Sequence, residues 1–322
     1  MGGDSADGRK ETTSPSLMAS AANRRHTGTR RLRTTKSPVD ATTGEYGDQH
    51  GVAGRNVAAV TVTRGLFDTS LDLSSPQHMA APVPAIEAVL FDFSNTIFRM
   101  IDVGSWLRRI ATHTGRVDDL VDPAALAVMV SALDDALARP DIRAQQVDRD
   151  TSSEAHRRAM YAWFAAVEFL RGYEEAAYDI MADDESWQPY PDTEPVLRAL
   201  RQRGIPLGIV SDIGWDLRIH LARHGLEDLF DAVTMSYEVG VEKPDPRIFL
   251  KACSDLGVDP RATLMVGDSP LRDGGANAVG IRAFILSAEH RTGERGLHQV
   301  LALVDGSVRP QHTPAGATVG DR

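Results

Sequence analysis

Residues 85–96 of this 322-residue chain read AIEAVLFDFSNT. The first seven are mostly aliphatic and contain neither glycine nor proline, which is typical of a strand buried on both faces of a parallel sheet. The run ends at Asp92, and Ser94, Asn95 and Thr96 follow almost directly. The segment therefore predicts the first strand of a folded domain, with polar side chains gathered at its carboxyl end.

From about residue 189 onwards, the chain alternates between short apolar runs and helical patterns. We predict strands within residues 205–211, 231–236, 262–269 and 282–286, with helices between them. Strands that alternate with helices of this length pair in parallel through right-handed crossovers. The predicted fold is an α/β fold with a Rossmann-like, doubly wound parallel sheet.

The segment between the first strand and this alternating region has a different pattern. Apolar residues recur every three to four positions within residues 104–115, 123–140 and 154–172, and proline or glycine punctuates these stretches. We predict that residues 102–188 form an all-helical domain. It would be inserted into a core domain made of residues 85–101 and 189–305.

The two ends of the chain lack sustained apolar periodicity. Residues 1–84 are rich in Gly, Ser, Thr, Asp and Arg, and residues 306–322 are polar and rich in Pro and Gly. Such segments cannot bury enough apolar surface to offset the entropy of ordering. Both are predicted to be disordered tails.

Composition and charge restrict the partners of the chain. Its formal net charge of −10 disfavours nonspecific binding to nucleic acid. No apolar run approaches the roughly 20 residues of a membrane helix, and no apolar block follows the basic residues near the N-terminus. We expect a cytoplasmic monomer or homodimer without a nucleic-acid or membrane partner. Cys253 is the single cysteine, which excludes a disulfide framework within one chain.

Polar side chains follow four of the predicted strands. Asp92, Ser211, Lys243 and Asp268 come after successive strands, and Asp273 lies five residues beyond Asp268. In a doubly wound sheet, ligands bind beyond the carboxyl ends of the strands. A carboxylate can attack phosphorus, and further carboxylates can hold a hard cation such as Mg²⁺. Lys243 and the Ser211 hydroxyl would bind phosphate oxygens, and Asp273 would orient the lysine.

Four motifs in chain order resemble those of the haloacid dehalogenase superfamily. They are DFSNT at residues 92–96, the strand that ends in Ser211, KPDPRIF at residues 243–249 and GDSPLRD at residues 267–273. Each motif alone is a weak signal, but four in order at strand ends are specific. The likeness covers about residues 86–290, and the helical insertion after the first motif resembles the cap domain of that family.

This resemblance implies a Mg²⁺-dependent hydrolase, first of all a phosphatase that acts on a small phosphorylated metabolite through an aspartyl phosphate. Asp92 and Lys243 would be catalytic. Mg²⁺ would be bound by Asp92, Asp268 and the Ser94 backbone carbonyl, and Asp273 would support the metal or the lysine. The candidate substrate-binding residues are Asn95, Thr96, Ser211 and Asp212. Closure of the cap would exclude water and select the substrate.

Ser94 departs from the family pattern. Phosphatases of this family usually carry a second aspartate there, which protonates the leaving group and later activates water. Serine does not titrate near neutral pH, and loss of a general acid–base group costs on the order of 10²–10⁴ in rate. The sequence therefore predicts a slow phosphatase, a substrate with a good leaving group, or a different reaction.

Two other functions remain open. A 2-haloacid dehalogenase would attack carbon without a metal, and Arg99, Arg108 or Arg109 would then be candidate carboxylate or halide binders. A protein that holds a phosphoryl ligand with little activity, and so regulates a partner, would also explain the loss of the acid–base residue. Residues 102–190 contain no lysine, which argues against phosphonate cleavage through a cap Schiff base.

Four histidines and Asp212 have side chains that could serve either a catalytic or a structural role. His113 and His156 are the histidines of the insertion, so each is a candidate for the missing proton donor. His220 and His224 lie four positions apart on a predicted helix, and we expect them on an exposed helix face rather than in a metal site. Asp212 is expected to cap that same helix.

Overall fold

The computed structural model describes residues 84–120, 122–287 and 293–307. The two predicted tails therefore lie almost entirely outside the described residues. Gly306 and Ser307 are an exception, because they end the last helix of the domain. The ordered core thus continues two residues beyond its predicted boundary.

Seven strands and ten α-helices make up the described part of the chain. The strands are β1 (Ala88–Phe91), β2 (Phe98–Met100), β3 (Trp187–Pro189), β4 (Leu207–Ser211), β5 (Ala232–Met235), β6 (Thr263–Gly267) and β7 (Arg282–Ile285). The helices are α1 (Val103–Thr114), α2 (Pro123–Ala138), α3 (Pro140–Gln145), α4 (Ser153–Ala165), α5 (Glu174–Ala182), α6 (Thr193–Gln202), α7 (Arg218–Arg223), α8 (Ser236–Val239), α9 (Pro246–Leu256) and α10 (His298–Ser307). Within these described residues, no helix combines the length and apolarity needed to cross a bilayer.

Five strands form one parallel sheet in the order β5-β4-β1-β6-β7. Every residue of β1 is buried, and its side chains alternate between two hydrophobic clusters. Val89 and Phe91 pack into one cluster, and Leu90 packs into the other. Helices cover both faces, which explains why the strand reads as a continuous apolar run. The predicted doubly wound α/β fold is confirmed.

A short antiparallel ribbon of β2 and β3 was not predicted. Arg99 pairs with Gln188 at its centre. Trp187 and Gln188 therefore belong to β3, although the predicted insertion included them. Strands of three residues are too short to show a recognisable alternation.

The helical insertion consists of residues 103–186 and lies between β2 and β3 in the chain. It packs around its own hydrophobic cluster, which includes Trp106, Trp163 and Phe164. The predicted helix over residues 154–172 ends earlier, at Ala165, and a 3-10 turn follows at Glu168–Leu170. This break lets Phe169 and Leu170 both enter the cluster.

Candidate active site

Asp92 lies directly beyond β1, at the carboxyl edge of the sheet. Its backbone N–H donates to the Val266 carbonyl of β6 over 2.8 Å. Oδ1 of its carboxylate accepts from Lys243 Nζ at 2.7 Å, and Oδ2 accepts from Thr96 Oγ1 at 3.2 Å. The side chain is buried. Backbone and side chain together fix the carboxylate that the sequence identified as the nucleophile.

Lys243 lies between two carboxylates, and each of its three N–H bonds has an acceptor. Nζ donates to Asp92 Oδ1 and Asp273 Oδ1, both at 2.7 Å, and to the Val210 carbonyl at 3.1 Å. Burial alone would lower the pKa of Lys243, but the Asp273 and Asp92 carboxylates raise it above its usual value. The lysine therefore remains a cation in spite of its burial.

Asp273 lies against Gly267, which is the last residue of β6. Oδ2 of Asp273 accepts the Ser269 N–H at 2.8 Å, while Oδ1 accepts from Lys243. A Cβ atom at position 267 would overlap the Asp273 carboxyl group. Glycine is therefore required for this approach, which leaves Asp273 Oδ1 in hydrogen-bonding contact with Lys243, the contact that the predicted orienting role needs.

Three carboxylates converge beside the lysine. Oxygens of Asp92, Asp268 and Asp273 all lie within 4.8 Å of one another. Burial raises the pKa of Asp92 to about 8 and, together with the Asp273 charge, raises that of Asp268 to about 6. Asp92 and Asp273 are buried and Asp268 is half-buried. One lysine leaves these three carboxylates short of two positive charges, which a divalent cation would supply.

The donor set fits Mg²⁺, since hard cations prefer carboxylate and carbonyl oxygens. Among the described residues, no backbone N–H donates to the Ser94 carbonyl. That oxygen is thus available as a further ligand. Asp92, Asp268 and Asp273, with the Ser94 carbonyl, are the groups that could hold the cation.

The family model of haloacid dehalogenase-like hydrolases matches residues 86–280, more than half of the chain. The chain belongs to the haloacid dehalogenase-like hydrolase family. The sequence resemblance is thereby confirmed at the level of the family and of its hydrolase class.

Several curated relatives of this chain are named as phosphatases, and others only as haloacid dehalogenase-like hydrolase domain-containing proteins. A glyceraldehyde 3-phosphate phosphatase of Methanopyrus kandleri is 43% identical over 96 residues, which cover 29% of this chain and 41% of the relative. A phosphoserine phosphatase of Thermus thermophilus is also 43% identical over 96 residues, covering 29% of this chain and 39% of the relative. The chain thus spans less than half the length of these relatives. A crystal structure of a HAD phosphatase from Thermococcus onnurineus is 27% identical, with a TM-score of 0.44, and covers 68% of this chain and 98% of its own.

Two of the four predicted substrate-binding residues, Ser211 and Asn95, have polar side-chain groups without a hydrogen bond among the described residues. Ser211 ends β4, and its hydroxyl makes no hydrogen bond to any described residue. Asn95 has a left-handed backbone with φ of 58°, and its side chain likewise makes no hydrogen bond within the described residues. The prediction for Thr96 is wrong, because this residue is fully buried and its hydroxyl already donates to Asp92.

Asp212 has neither of its predicted roles. The next helix, α7, begins at Arg218 without a side-chain cap. The Asp212 carboxylate instead accepts the Lys243 N–H at 2.8 Å and Arg272 Nη1 at 2.6 Å. Burial raises the pKa of Asp212, while the charges of Lys243 and Arg272 oppose that rise. Asp212 therefore positions the backbone at Lys243, and its carboxylate oxygens are already engaged within the protein.

The histidines of the insertion do not replace the missing aspartate of this family. His156 Nδ1 lies 3.0 Å from the Tyr178 hydroxyl, and Nε2 lies 3.5 Å from Asp150 Oδ1. Burial lowers the pKa of His156 to about 4, so it does not carry a proton near pH 7. His113 is exposed in the last turn of α1.

The expectation of an exposed face at His220 and His224 is wrong. His220 is fully buried, and its Nε2 accepts from Trp215 Nε1 at 3.0 Å. His224 Nε2 lies 3.1 Å from the Trp187 carbonyl. Both rings contact aromatic side chains that surround the first family motif. The hydrogen bonds at Nε2 of His220 and of His224 are thus made within the protein.

The three arginines predicted as candidate carboxylate or halide binders of a dehalogenase differ from one another in their contacts. Arg109 forms ion pairs of 3.2 Å with Asp183 and Glu185 inside the insertion, and Arg108 is exposed. The side chain of Arg99, on β2, makes no hydrogen bond or ion pair with any described residue, although its backbone pairs with Gln188.

Arg295 was not identified from the sequence. It lies beyond the matched residues, between β7 and α10, and its Nε donates to the Asn95 carbonyl at 2.6 Å. Its neighbour Asp192 accepts the backbone N–H groups of Arg295, Gly296 and Leu297 at 2.7–2.9 Å. The one signal in the sequence was its place after the last strand, at the same edge of the sheet as Asp92.

Proposed function

We propose that the protein is a Mg²⁺-dependent phosphatase of a small phosphorylated metabolite, with Asp92 as its covalent nucleophile. The observation that carries this proposal is the group of three carboxylates with a single lysine. A carboxylate must be ionised to attack phosphorus, yet burial raises the pKa of Asp92 to about 8. A divalent cation beside it would restore the ionised form, and the metal-free reaction of a dehalogenase would not need such a site.

Mg²⁺, bound by Asp92, Asp268 and the Ser94 carbonyl, would screen the phosphate from these anions. An Asp92 oxygen attacks phosphorus, the bond to the leaving oxygen breaks, and its electron pair departs with the leaving group. The N–H bonds of Lys243 are engaged within the protein, so this residue stabilises the developing charge near Asp92 through its positive charge alone, whereas the Ser211 hydroxyl can donate to a phosphoryl oxygen. Water then attacks the same phosphorus, releases phosphate and a proton, and regenerates the Asp92 carboxylate.

Ser94 selects among substrates of this reaction. An alkoxide leaving group needs a proton, which Ser94 cannot donate at neutral pH and which the buried His156 does not carry. A carboxylate or phenolate leaves without one. The favoured substrates are therefore acyl phosphates and other esters with good leaving groups.

The experiment is a phosphate-release assay with acetyl phosphate, p-nitrophenyl phosphate and glucose 6-phosphate, with and without Mg²⁺. We expect Mg²⁺-dependent release that is fastest with acetyl phosphate and lost in Asp92→Asn. Chloride release from 2-chloropropionate without metal would instead identify a dehalogenase. Silence with every substrate would favour a phosphoryl-binding protein.

A further inference from the structure

Two arginines beside the candidate active site bury N–H groups that have no acceptor. Arg295 is 5% exposed, and its Nη2 is buried without a hydrogen-bond partner among the described residues. The same holds for Nε of Arg99. A buried donor without a partner is costly, and folded proteins usually supply it with an acceptor from the protein, water or a ligand.

The ribbon of β2 and β3 brings these two arginines to one aromatic ring, that of Tyr190. Arg99 pairs with Gln188, and the Tyr190 N–H donates to the Ile97 carbonyl at 3.1 Å. Side chains alternate along a ribbon, so Arg99 and Tyr190 are diagonal neighbours on the same face. The Arg295 guanidinium carbon lies 5.8 Å from the Tyr190 ring centroid. Arg99 and Arg295 therefore approach the same ring.

Electrostatics agree with this placement. Burial raises the pKa of Tyr190, whereas the positive charges of Arg295 and Arg99 act to lower it. Among the described residues, the nearby Asp192 forms no ion pair with either guanidinium group, and its oxygens accept backbone N–H groups of the turn at Arg295. The Asp268 and Asp192 carboxylates oppose the effect of the arginines on Tyr190, but among the described residues neither carboxylate forms an ion pair with Arg99 or Arg295.

This positive group borders the reaction site. Arg295 Nε holds the carbonyl of Asn95, three residues after Asp92, and the Arg295 charge lowers the pKa of Asp268 against the effect of burial. Lys243 is not part of this group, because all its N–H bonds already have acceptors. An anion held by the arginines would be distinct from the phosphoryl group at Asp92.

We propose that Arg99 and Arg295, with Tyr190, form a subsite for a second oxyanion on the substrate, a carboxylate or an additional phosphate on the part that is not transferred. Guanidinium groups suit planar carboxylates and phosphates because they present several N–H donors in a fixed plane. The subsite rests on the proposed phosphatase function, and it narrows the substrates to phosphate esters that carry two anionic groups.

The test compares matched substrates. Both pairs have phenolate leaving groups, which need no proton. 4-Carboxyphenyl phosphate differs from 4-methylphenyl phosphate by a carboxylate in place of a methyl group, and hydroquinone bisphosphate differs from 4-methoxyphenyl phosphate by a phosphoryl group in place of a methyl group. In at least one pair, we expect kcat/KM to be about tenfold or more higher for the substrate that carries the additional carboxylate or phosphate. This is the usual range for hydrogen bonds to charged groups. Whichever pair shows the preference identifies the oxyanion.

Arg99→Gln should bring that preference close to one. Arg198→Gln, which changes an exposed arginine of α6 paired with Glu194, should preserve it. Arg99 is a sharper choice than Arg295, because Arg295 also holds the Asn95 carbonyl. Turnover of all four substrates without preference, or a preference unchanged in Arg99→Gln, would overturn the subsite.

A second measurement separates the subsite from the phosphatase function. Sulfate, added without Mg²⁺, should raise the thermal midpoint of the wild-type protein and of Arg198→Gln but not of Arg99→Gln. That result would support the subsite even if no ester is hydrolysed. A rise of equal size in Arg99→Gln, or no rise in any protein, would refute it.

Discussion

The core and the helical insertion each bury a cluster of charged and polar groups, and the two clusters are neutralised in opposite ways. In the core, Lys243 remains a cation between Asp92 and Asp273. In the insertion, His156 lies between Tyr178 and Asp150, and burial lowers its pKa to about 4. The core thus retains charged groups that can take part in a reaction, whereas the His156 imidazole of the insertion is neutral.

This difference teaches where each region contributes to function. Retaining buried charges is costly unless partners compensate them, so the incomplete compensation in the core points to a missing cation and an anionic ligand. The insertion cluster is complete within the protein, since Arg149 also lies 3.3 Å from Asp150. Chemistry therefore belongs to the core. We expect the insertion to contribute to substrate selection rather than to the reaction itself.

The largest effect should come from removing the core cation. Lys243→Met leaves Asp92 and Asp273 buried without their shared partner, which typically costs about 3–5 kcal/mol of unfolding free energy. Phosphate release should fall by about 10²–10³, the usual effect of losing one electrostatic stabiliser. Chemical denaturation and the phosphate-release assay measure the two effects.

A double variant separates them. Lys243→Met with Asp273→Asn should regain part of the stability, because one unpaired carboxylate is gone, but none of the activity. Nearly full activity in Lys243→Met would show that the core charges are as structural as those of the insertion.

The second prediction concerns the general acid–base group, which neither the core nor the insertion provides for the leaving group. Ser94→Asp should raise turnover of alkyl phosphates such as glucose 6-phosphate by about 10²-fold or more, because a carboxyl group can protonate the leaving alkoxide. Acetyl phosphate should gain less in the first step, since its leaving group needs no proton. Ser94→Asn, of similar size but without a titrating proton, is the control, and equal gains in both variants would contradict the interpretation.

A third prediction tests the neutral cluster of the insertion through pH. Because the folded-state pKa of His156 is about 4 and its ordinary value is 6.5, the unfolded state binds the proton more readily. Stability should fall by about 3 kcal/mol as the pH decreases from 6.5 to 4. His156→Gln should lack this part of the pH dependence. His113→Gln, at an exposed position, should keep the wild-type profile, and identical profiles in all three proteins would refute the neutral buried ring.

The smallest effect should come from a residue that only positions the core site. Asp212→Asn weakens the acceptor of the Lys243 N–H and Arg272. We expect a loss of about 1 kcal/mol in unfolding free energy and a decrease in kcat of a few fold, with KM almost unchanged. Kinetics with acetyl phosphate provide the measurement, and a large rise in KM would show that Asp212 binds substrate after all.

The sequence predicted the sheet and the convergence of carboxylates at its edge because both depend on local signals. Asp92 and Asp268 directly follow buried apolar runs, and the topology of a doubly wound sheet brings strand ends together. The role of Asp273 could be inferred from its fixed spacing to Asp268. Short or weakly patterned elements, such as the β2–β3 ribbon and α3, gave no comparable signal.

Side-chain pairings between distant segments were beyond prediction. Thr96 and Asp212 have residue types that suit a substrate site, but only the fold shows that their oxygens are already engaged. The Arg295 contact with Asn95 spans 200 positions, and no periodicity reports such a distance. His220 was misplaced because a helix of six residues is too short to indicate which face is buried.

The central proposal is that phosphate passes through Asp92, and the most direct measurement is a search for the phosphoryl group on that residue. The protein is mixed with acetyl phosphate and Mg²⁺, quenched in acid during the first turnover, digested and analysed by mass spectrometry. We predict a phosphorylated peptide that contains Asp92, absent in Asp92→Asn and shorter-lived in Ser94→Asp. Phosphate release that persists in Asp92→Asn, without any phosphorylated peptide, would contradict the proposal.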